Sequence, residues 1–520
     1  MTFTEPELNC RTWRLTHLYT IRDADGRLVP FVPNAAQWHF FERMWTCNHV
    51  LKARKLGFST FIEILFTDDL LFAGSGLTGG IIDYTMEDAE AKLAMMRTAW
   101  EHLDDAELHP QCWELGRKVK QSIPLTHASA RKLEFGNGSV MKCATSLRGS
   151  TPQRVHISEL GKTSIWSPKK AKEIINGAFN AMTPGNIRNI ESTHEGGRAG
   201  EHYRLLNQAM RADDTRLSSI QSRFHFFPWH LDSRYQLPPA GRPLRPEMLR
   251  YFQSLHQSAG IVCTPEQMRW YDDKQLEQGH GMKKEFPSTP GEAFEAISDH
   301  AIYGTQMADL RARGRVAEFD QERGLPLFTF WDIGLSDYTA VWLIQPVGRA
   351  FLCLDWHEID GESAGGHADQ MRRWEAKWGR PIAMHFLPHD AAIRDRGTGL
   401  SYVQCLHESG LRNVRVVPRT PDVWTGIGHT RELLPHVWFH KRNCDQPRTK
   451  NGEELPSGVA CLEGYQKNPG TTRGSLREMP KHDLFSHSAD AFRTFAEAWR
   501  LGLVEERPTA TVRAVGGVRR

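Results

Sequence analysis

The chain has 520 residues, a length that suits two or three domains. Hydrophobic residues make up 40% and charged residues 24%, which excludes a disordered or fibrous chain and leaves enough apolar side chains for a core in each domain. The net charge of +3 is too small to imply a nucleic-acid partner by itself.

Nine cysteines are scattered with no C-x-x-C pair, so a disulfide framework or zinc knuckle is not expected and a reducing cytosol fits. The N-terminus carries no charged-then-apolar leader pattern. No run of about 18 uncharged apolar residues suggests a membrane span.

Residues 1 to about 50 read as a short strand-rich lead followed by a helix containing Gln37 and Phe40-Phe41. Next comes a basic, glycine-punctuated turn, Leu51 to Thr60. Such a turn exposes backbone N–H groups, and a helix start beyond it adds partial positive charge, so the pair favours a phosphate. Against the consensus G-x-x-x-x-G-K-[ST], Gly57 and Ser59 fit, but Phe58 stands where the lysine belongs. The cations lie upstream at Lys52, Arg54 and Lys55. A glutamine just ahead of such a loop, here Gln37, can hydrogen-bond both edges of an adenine.

Gly79 to Tyr84 reads as a strand ending in a turn, and Glu87 to Leu103 as a helix by its apolar spacing. Arg131 to Ala144 reads as a hairpin about Gly136-Asn137-Gly138. Val155-His156-Ile157-Ser158-Glu159 is a short buried-type strand ending in an acid. In ATPases such a strand ends in two acids, one near Mg²⁺ and one near the attacking water. Here Ser158 takes the first acid's place, and a hydroxyl cannot match a charged oxygen. Glu159 remains as the base that orients water. A further strand, Asn189 to Thr193, ends in small hydroxyl residues of the kind that sense hydrolysis. The alternation of strand, turn and helix suits a mainly parallel α/β sheet.

From about 201 to 300 the chain reads as helical and irregular, with an aromatic piece, Phe224 to His230, assigned to the core. Lys284 to Phe294 is a proline-braced extended segment entering a helix. The charged stretch 301–324 marks the domain boundary. Beyond it, Leu327 to Gly334 is a strand tipped by Asp332, followed by strands at Thr339–Ile344 and Ala350–Trp356 and a helix over about 362–377. Pro381 to Asp390 is a strand again tipped with an acid, and a late helix carries Asp483 and Asp490. That order suits a ribonuclease-H-like sheet, in which three carboxylates at one edge hold two Mg²⁺ ions that act on a phosphodiester. The Gly- and Arg-containing tail from Pro508 is expected to be disordered.

Four pieces in this order, Lys52 to Thr60, His156 to Glu159, Phe286 to Phe294 and Ser486 to Arg493, resemble the large terminase subunit of tailed double-stranded DNA phages. The resemblance covers about residues 30 to 500. It implies an N-terminal P-loop ATPase domain over 1–310, a ribonuclease-H-like nuclease domain over 325–500 and a flexible tail over 507–520. In that family the loop lysine often sits at the loop's start. This makes Lys52 the phosphate-binding lysine, with Arg54 in support, Gly57 in the loop and Ser59 or Thr60 on Mg²⁺.

By the same resemblance Glu159 is the catalytic glutamate, Arg148 the arginine that reaches a neighbouring subunit's ATP, Ser192-Thr193 the coupling motif and Gln37 the adenine contact. Asp332, Asp390 and Asp490 match the nuclease acids, with Asp337 and Asp483 as alternatives. Asp483 is expected on the same helix face as Asp490. The implied cofactors are ATP with Mg²⁺, and two Mg²⁺ or Mn²⁺ at the nuclease acids. The implied partners are double-stranded DNA, a portal protein and a small terminase subunit. The expected setting is a homo-pentamer on the procapsid, or a monomer in isolation, in the cytoplasm of the bacterial host and away from membranes. Two other readings are an integrase- or transposase-like strand-transfer nuclease without ATPase activity, and a structural virion component.

Overall fold

The computed structural model describes residues 3–147, 149–195, 197, 200–239, 241–295, 301–334, 338–394, 399–450, 453–467 and 479–504. The expected tail therefore lies outside the described residues, as do Arg148 and Asp337. All nine cysteines are free. Among the described residues no helix is long and apolar enough to cross a membrane. Two compact units divide the chain between Ala296 and Ile297. This is earlier than the boundary that the charged stretch suggests, because the helix Gly304–Ala312 buries Met307 and Leu310 in the second unit's core.

The first unit opens with two short helices, Pro6–Asn9 and Arg11–His17, where a strand-rich lead is expected. Pro6 sits at the first helical position, where its missing N–H costs nothing. Arg14 then anchors the second helix through a paired hydrogen bond to buried Asp68. The main elements follow in order: α1 (Ala35–Arg43), β1 (Cys47–Lys52), α2 (Phe58–Phe72), β2 (Thr78–Ile82), α3 (Met86–Glu101), β3 (Leu125–Ala128), β4 (Lys132–Phe135), β5 (Val140–Cys143), β6 (Arg154–Ser158), α4 (Leu160–Trp166), β7 (Ile187–Ser192), α5 (Gly200–Arg211) and β8 (Ser222–Phe227).

The eight strands form one sheet in the order β8-β1-β7-β6-β2-β5-β4-β3. Every pairing from β8 to β5 is parallel, and only β5-β4-β3 is antiparallel. All six residues of β1 are buried, as expected of a parallel strand covered on both faces. The aromatic stretch assigned to the core is the edge strand β8, which sets Phe227 level with Lys52. Helix α2 carries Phe58, Phe61, Ile62, Leu65 and Phe66 into the main core, each fully buried and each worth about 1.5–3 kcal/mol of transfer free energy.

The second unit contains β9 (Val316–Ala317), β10 (Leu327–Asp332), β11 (Tyr338–Val347), β12 (Ala350–Asp360), α6 (Ala364–Trp378), β13 (Ile382–Leu387), β14 (Val414–Val416), α7 (Val423–Leu433), β15 (Val437–His440) and α8 (Ser486–Arg500). Its sheet order is β9-β15-β12-β11-β10-β13-β14, with β11 antiparallel to both neighbours. The five strands β12-β11-β10-β13-β14 stand in the order third-second-first-fourth-fifth with only β11 reversed, as expected of a ribonuclease-H-like sheet. Period-two alternation on β10 sends Phe328 and Phe330 to the face covered by Phe492 and Phe495 of α8. Leu327 and Trp331 go to the face covered by Met371 and Trp374 of α6.

Candidate functional site

The turn between β1 and α2 is held open by two left-handed residues, Lys55 at φ 54° and Gly57 at φ 76°. Glycine adopts this region without strain, whereas lysine does not. Asn34 caps α1, and the Gln37 amide works inside this frame. Its Oε1 accepts from the Asn34 N–H at 2.9 Å, and its Nε2 donates to the Gly57 carbonyl at 2.9 Å. Gln37, expected at an adenine, is a buried brace of the loop in this structure. The Arg54 guanidinium pairs with Glu285. Phe58, in place of a lysine, is fully buried against Phe40 and Phe227.

Lys52 leaves the end of β1 nearly buried, with its Nζ 3.1 Å from Oε2 of Glu191 on β7. Ser59, on the first turn of α2, donates to Glu191 Oε1 at 2.7 Å, and Ser158, the last residue of β6, donates to the same oxygen at 2.8 Å. Thr60, the other candidate hydroxyl, turns instead toward the Met95 sulfur at 3.8 Å. Behind Glu191 lies His156, bonded through Nδ1 to Glu63 at 2.5 Å, with its Nε2 3.4 Å from Glu191.

Burial alone would lower the His156 pKa, but the carboxylates of Glu63 and Glu191 raise it to about 9. Burial alone would likewise raise Glu191, yet Lys52 and His156 hold it well below the usual carboxylate range. The result is a buried row of alternating charge, Glu63, His156, Glu191 and Lys52, that ends at the loop.

Glu159 follows Ser158 at φ 51°, a strained conformation for a residue with a Cβ. Its N–H bonds the Glu191 carbonyl at 3.0 Å, which tethers it to β7. Burial pushes its carboxyl up to about 7, with Lys52 opposing and Glu191 and Asp83 adding to the rise. A carboxylate with that affinity for a proton is suited to general-base work near neutrality. At the end of β7, the Ser192 hydroxyl accepts from the Gly161 N–H at 3.0 Å, which joins the expected coupling residues to the start of α4. Lys92 on α3 pairs with Asp83, just after β2, and adds a further, partly buried cation on this side.

In the second unit α8 is pinned to the sheet at its N-terminal turn. The Trp342 indole N–H donates to the Ser488 carbonyl at 2.9 Å, and that of Trp356 to the Ser488 hydroxyl at 2.7 Å. This pin brings His487 to 3.3 Å from Asp332 at the tip of β10. Asp490, one turn on, accepts from the Tyr465 hydroxyl at 3.1 Å and pairs with Arg493 at 3.0 Å. Burial pushes Asp332 up to about 6, with His487 opposing and the Asp490 charge adding to the rise, so the two acids share one electrostatic environment.

Asp390 stands exposed on the turn after β13, the strand beside β10. Asp483 precedes α8 and is not on its face, because its backbone and side chain are spent turning the chain into the helix at Phe485 and Ser486. Among the described residues no three His, Cys, Asp or Glu side chains stand close enough to hold a metal ion by themselves. Of the three expected acids, Asp490 adds its charge to the environment of Asp332, and Asp390 stands exposed on the turn after β13.

No protein-family model and no curated protein matches the chain. Solved structures do. The chain is similar to structures of bacteriophage large terminases. The HK97 bacteriophage large terminase is 11% identical, with 94% of this chain and 99% of that one covered at a TM-score of 0.40. The large terminase of a thermophilic bacteriophage, in complex with ADP, is 10% identical, with 87% of this chain and 94% of that one covered at 0.29. The nuclease domain of the P22 large terminase is 14% identical, with 36% of this chain and 89% of that domain covered at 0.27. Such scores assign no residue a role.

Glu191 is the residue that sequence reasoning missed. Inside Asn189-Ile190-Glu191-Ser192-Thr193 it reads as a mid-strand position, and only the register of β6 with β7 brings it to Ser158. An acid in the interior of an otherwise buried strand is the available signal, since such a charge needs a partner.

Proposed function

We propose that the chain is a DNA-packaging enzyme of the large-terminase kind, with an ATPase in the first unit and a DNA endonuclease in the second. The observation that carries the ATPase half is the buried Lys52–Glu191 pair beneath a turn whose backbone is held open at Lys55 and Gly57. A lysine kept charged at a strand end, a serine hydroxyl on the first turn of the next helix and the N-terminus of that helix suit a nucleotide's phosphates. Mg²⁺ is ordinarily held by one or two carboxylates together with substrate phosphates, so the Ser59 and Glu191 oxygens fit it without a ready-made protein cage.

When bound, the ion neutralises charge on the phosphates. The chain's own groups do the rest. Lys52 holds the phosphate end, Gln37 keeps Gly57 in place, and Glu159 takes the proton of the attacking water. Arg148 is proposed to act on the ATP of a neighbouring subunit. Ser192 and Thr193 relay the state of the pocket to α4.

The nuclease half rests on Asp332 and Asp490, brought together by the pinning of α8, with Asp390 on the adjoining strand's turn. These carboxylates are the donors that Mg²⁺ or Mn²⁺ would take. Among the described residues the set is not assembled around an ion. Duplex DNA would be held chiefly by its phosphates, with a salt-dependent affinity. Packaging would place the chain on a procapsid portal in the host cytoplasm, as a ring of five copies, with a small terminase subunit choosing where to cut.

Two variants of the full chain test the reading. Glu159→Ala should abolish ATP hydrolysis and spare plasmid cleavage in Mn²⁺, and Asp390→Ala should do the reverse. Equal loss of both activities in both variants would defeat the two-site reading. Absence of ATP hydrolysis by the unmodified chain would favour a strand-transfer nuclease instead.

A further inference from the structure

We propose that Glu191 on β7 supplies the metal-site carboxylate that β6 lacks, so that the acid of the nucleotide's Mg²⁺ site has moved one strand across the sheet. The inference rests on the ATPase reading above. β6 ends in Ile157-Ser158-Glu159, which leaves a neutral hydroxyl where a metal-site acid would stand. In the parallel register Ser158 lies beside Glu191, and side chains paired in this way leave the sheet on the same face at the same height.

The longer glutamate reaches over Ser158 and accepts its hydroxyl at 2.8 Å. The same oxygen accepts the hydroxyl of Ser59 at 2.7 Å, on the helix turn that follows the loop. The second oxygen faces the Lys52 ammonium at 3.1 Å and takes no hydrogen bond among the described residues. Glu191 has no solvent exposure, so this carboxylate cannot be satisfied by bulk water.

A buried ion pair needs hydrogen bonds to its remaining lone pairs, and here they come from the two elements that would flank a nucleotide's metal, a serine of the loop helix and a serine of the acid-bearing strand. That convergence is the arrangement in which a hydroxyl and a carboxylate share a cation with phosphate oxygens. Lys52 and Glu191 neutralise each other where phosphate and metal would otherwise do so.

The test titrates a fluorescent ATP analogue, mant-ATP, into the full chain with Mg²⁺ and separately with EDTA. The unmodified chain should bind at least tenfold more tightly with Mg²⁺. Glu191→Asp keeps the charge that Lys52 and His156 require but withdraws it by one methylene. It should cut the Mg²⁺ advantage, the ratio of the two affinities, to less than twofold. The double variant Glu191→Gln, Ser158→Asp returns the acid to β6 and should restore the advantage. A full Mg²⁺ advantage in Glu191→Asp, or none in the double variant, overturns the inference while leaving the ATPase reading intact. Failure of the unmodified chain to bind mant-ATP in either condition overturns the ATPase reading itself.

Discussion

Glu191 lies beside Ser158 in the parallel register of β7 and β6, and the serine hydroxyl donates to the glutamate at 2.8 Å. Through this one contact the strand that carries the candidate base and the strand that carries the candidate coupling residues share a charge. Lys52 joins both to the phosphate-binding turn.

Removing the lysine exposes how much that charge costs. In Lys52→Met the Glu191 carboxylate stays buried with only His156 to oppose its charge, and breaking such a pair from one side destabilises by up to about 3–5 kcal/mol. Urea unfolding should show the first unit losing about that much. Adding Glu191→Gln to Lys52→Met should recover part of the loss, because the orphaned charge is gone. Mant-ATP binding should be lost in both. Equal stability of the single and double variants would mean that the two groups are not coupled in solution.

The strain at Glu159 yields a separation of stability from activity. At φ 51° the glutamate sits in the left-handed region, which asparagine tolerates better. Glu159→Asn should leave stability unchanged or raise it by about 1 kcal/mol. Loss of a general base should lower ATP hydrolysis by about 10²–10⁴-fold. Thermal unfolding and steady-state hydrolysis on the same preparation read both. A variant that is both less stable and still active would contradict the role given to this backbone.

Much of this is legible in the chain and some is not, for identifiable reasons. β10 and β13 are short, mostly apolar runs ahead of an acid, the β4–β5 hairpin carries a glycine turn, and all fold as read. The charged stretch 301–324 looks like a linker because Arg311, Arg313 and Arg315 are polar. Yet Arg311 is tied to Asp445 and Glu463, which are distant in sequence. Gln37 reads as a ligand contact because a free amide has two hydrogen-bonding edges. Its partners Asn34 and Gly57 become visible only once α1 packs on the loop. Asp483 falls on a helix by its spacing, but that helix begins after it. Glu191 depends on strand order, which local periodicity does not encode.

The sheet also carries a cost that can be removed. His49, in the middle of β1, is fully buried, and neither ring nitrogen has a hydrogen-bond partner among the described residues. Burial and the nearby Arg188 lower its pKa from 6.5 to about 3. The folded state therefore stays neutral where the unfolded chain takes up a proton. The stability this group permits is fully present above pH 6.5 and is lost as pH falls from there toward 3. His49→Phe should raise stability at neutral pH by about 1 kcal/mol through removal of unpaired polar atoms. At pH 5 the advantage should widen by about a further 2 kcal/mol. Urea unfolding at about pH 7.5 and 5 measures both, and a gap that does not grow on acidification would place the proton elsewhere.

In the second unit the pairing of Asp332 with Asp490 is set by α8, and α8 is pinned by two indoles through Ser488. Asp332→Asn or Asp490→Asn should each abolish plasmid cleavage while ATP hydrolysis is retained, because neither side chain contributes to the first unit. Trp356→Phe removes the hydrogen bond to the Ser488 hydroxyl, a loss of about 0.5–1.5 kcal/mol, together with part of the indole's packing on Trp342 and Arg448. It should loosen the helix start that carries His487 to Asp332. Cleavage should then fall several-fold, and raising the Mn²⁺ concentration should rescue it, since the acids are intact and only their placement is relaxed. Aspartate variants should resist that rescue at any metal concentration. If Trp356→Phe and Asp490→Asn respond alike to added Mn²⁺, the helix pin does not position the acids.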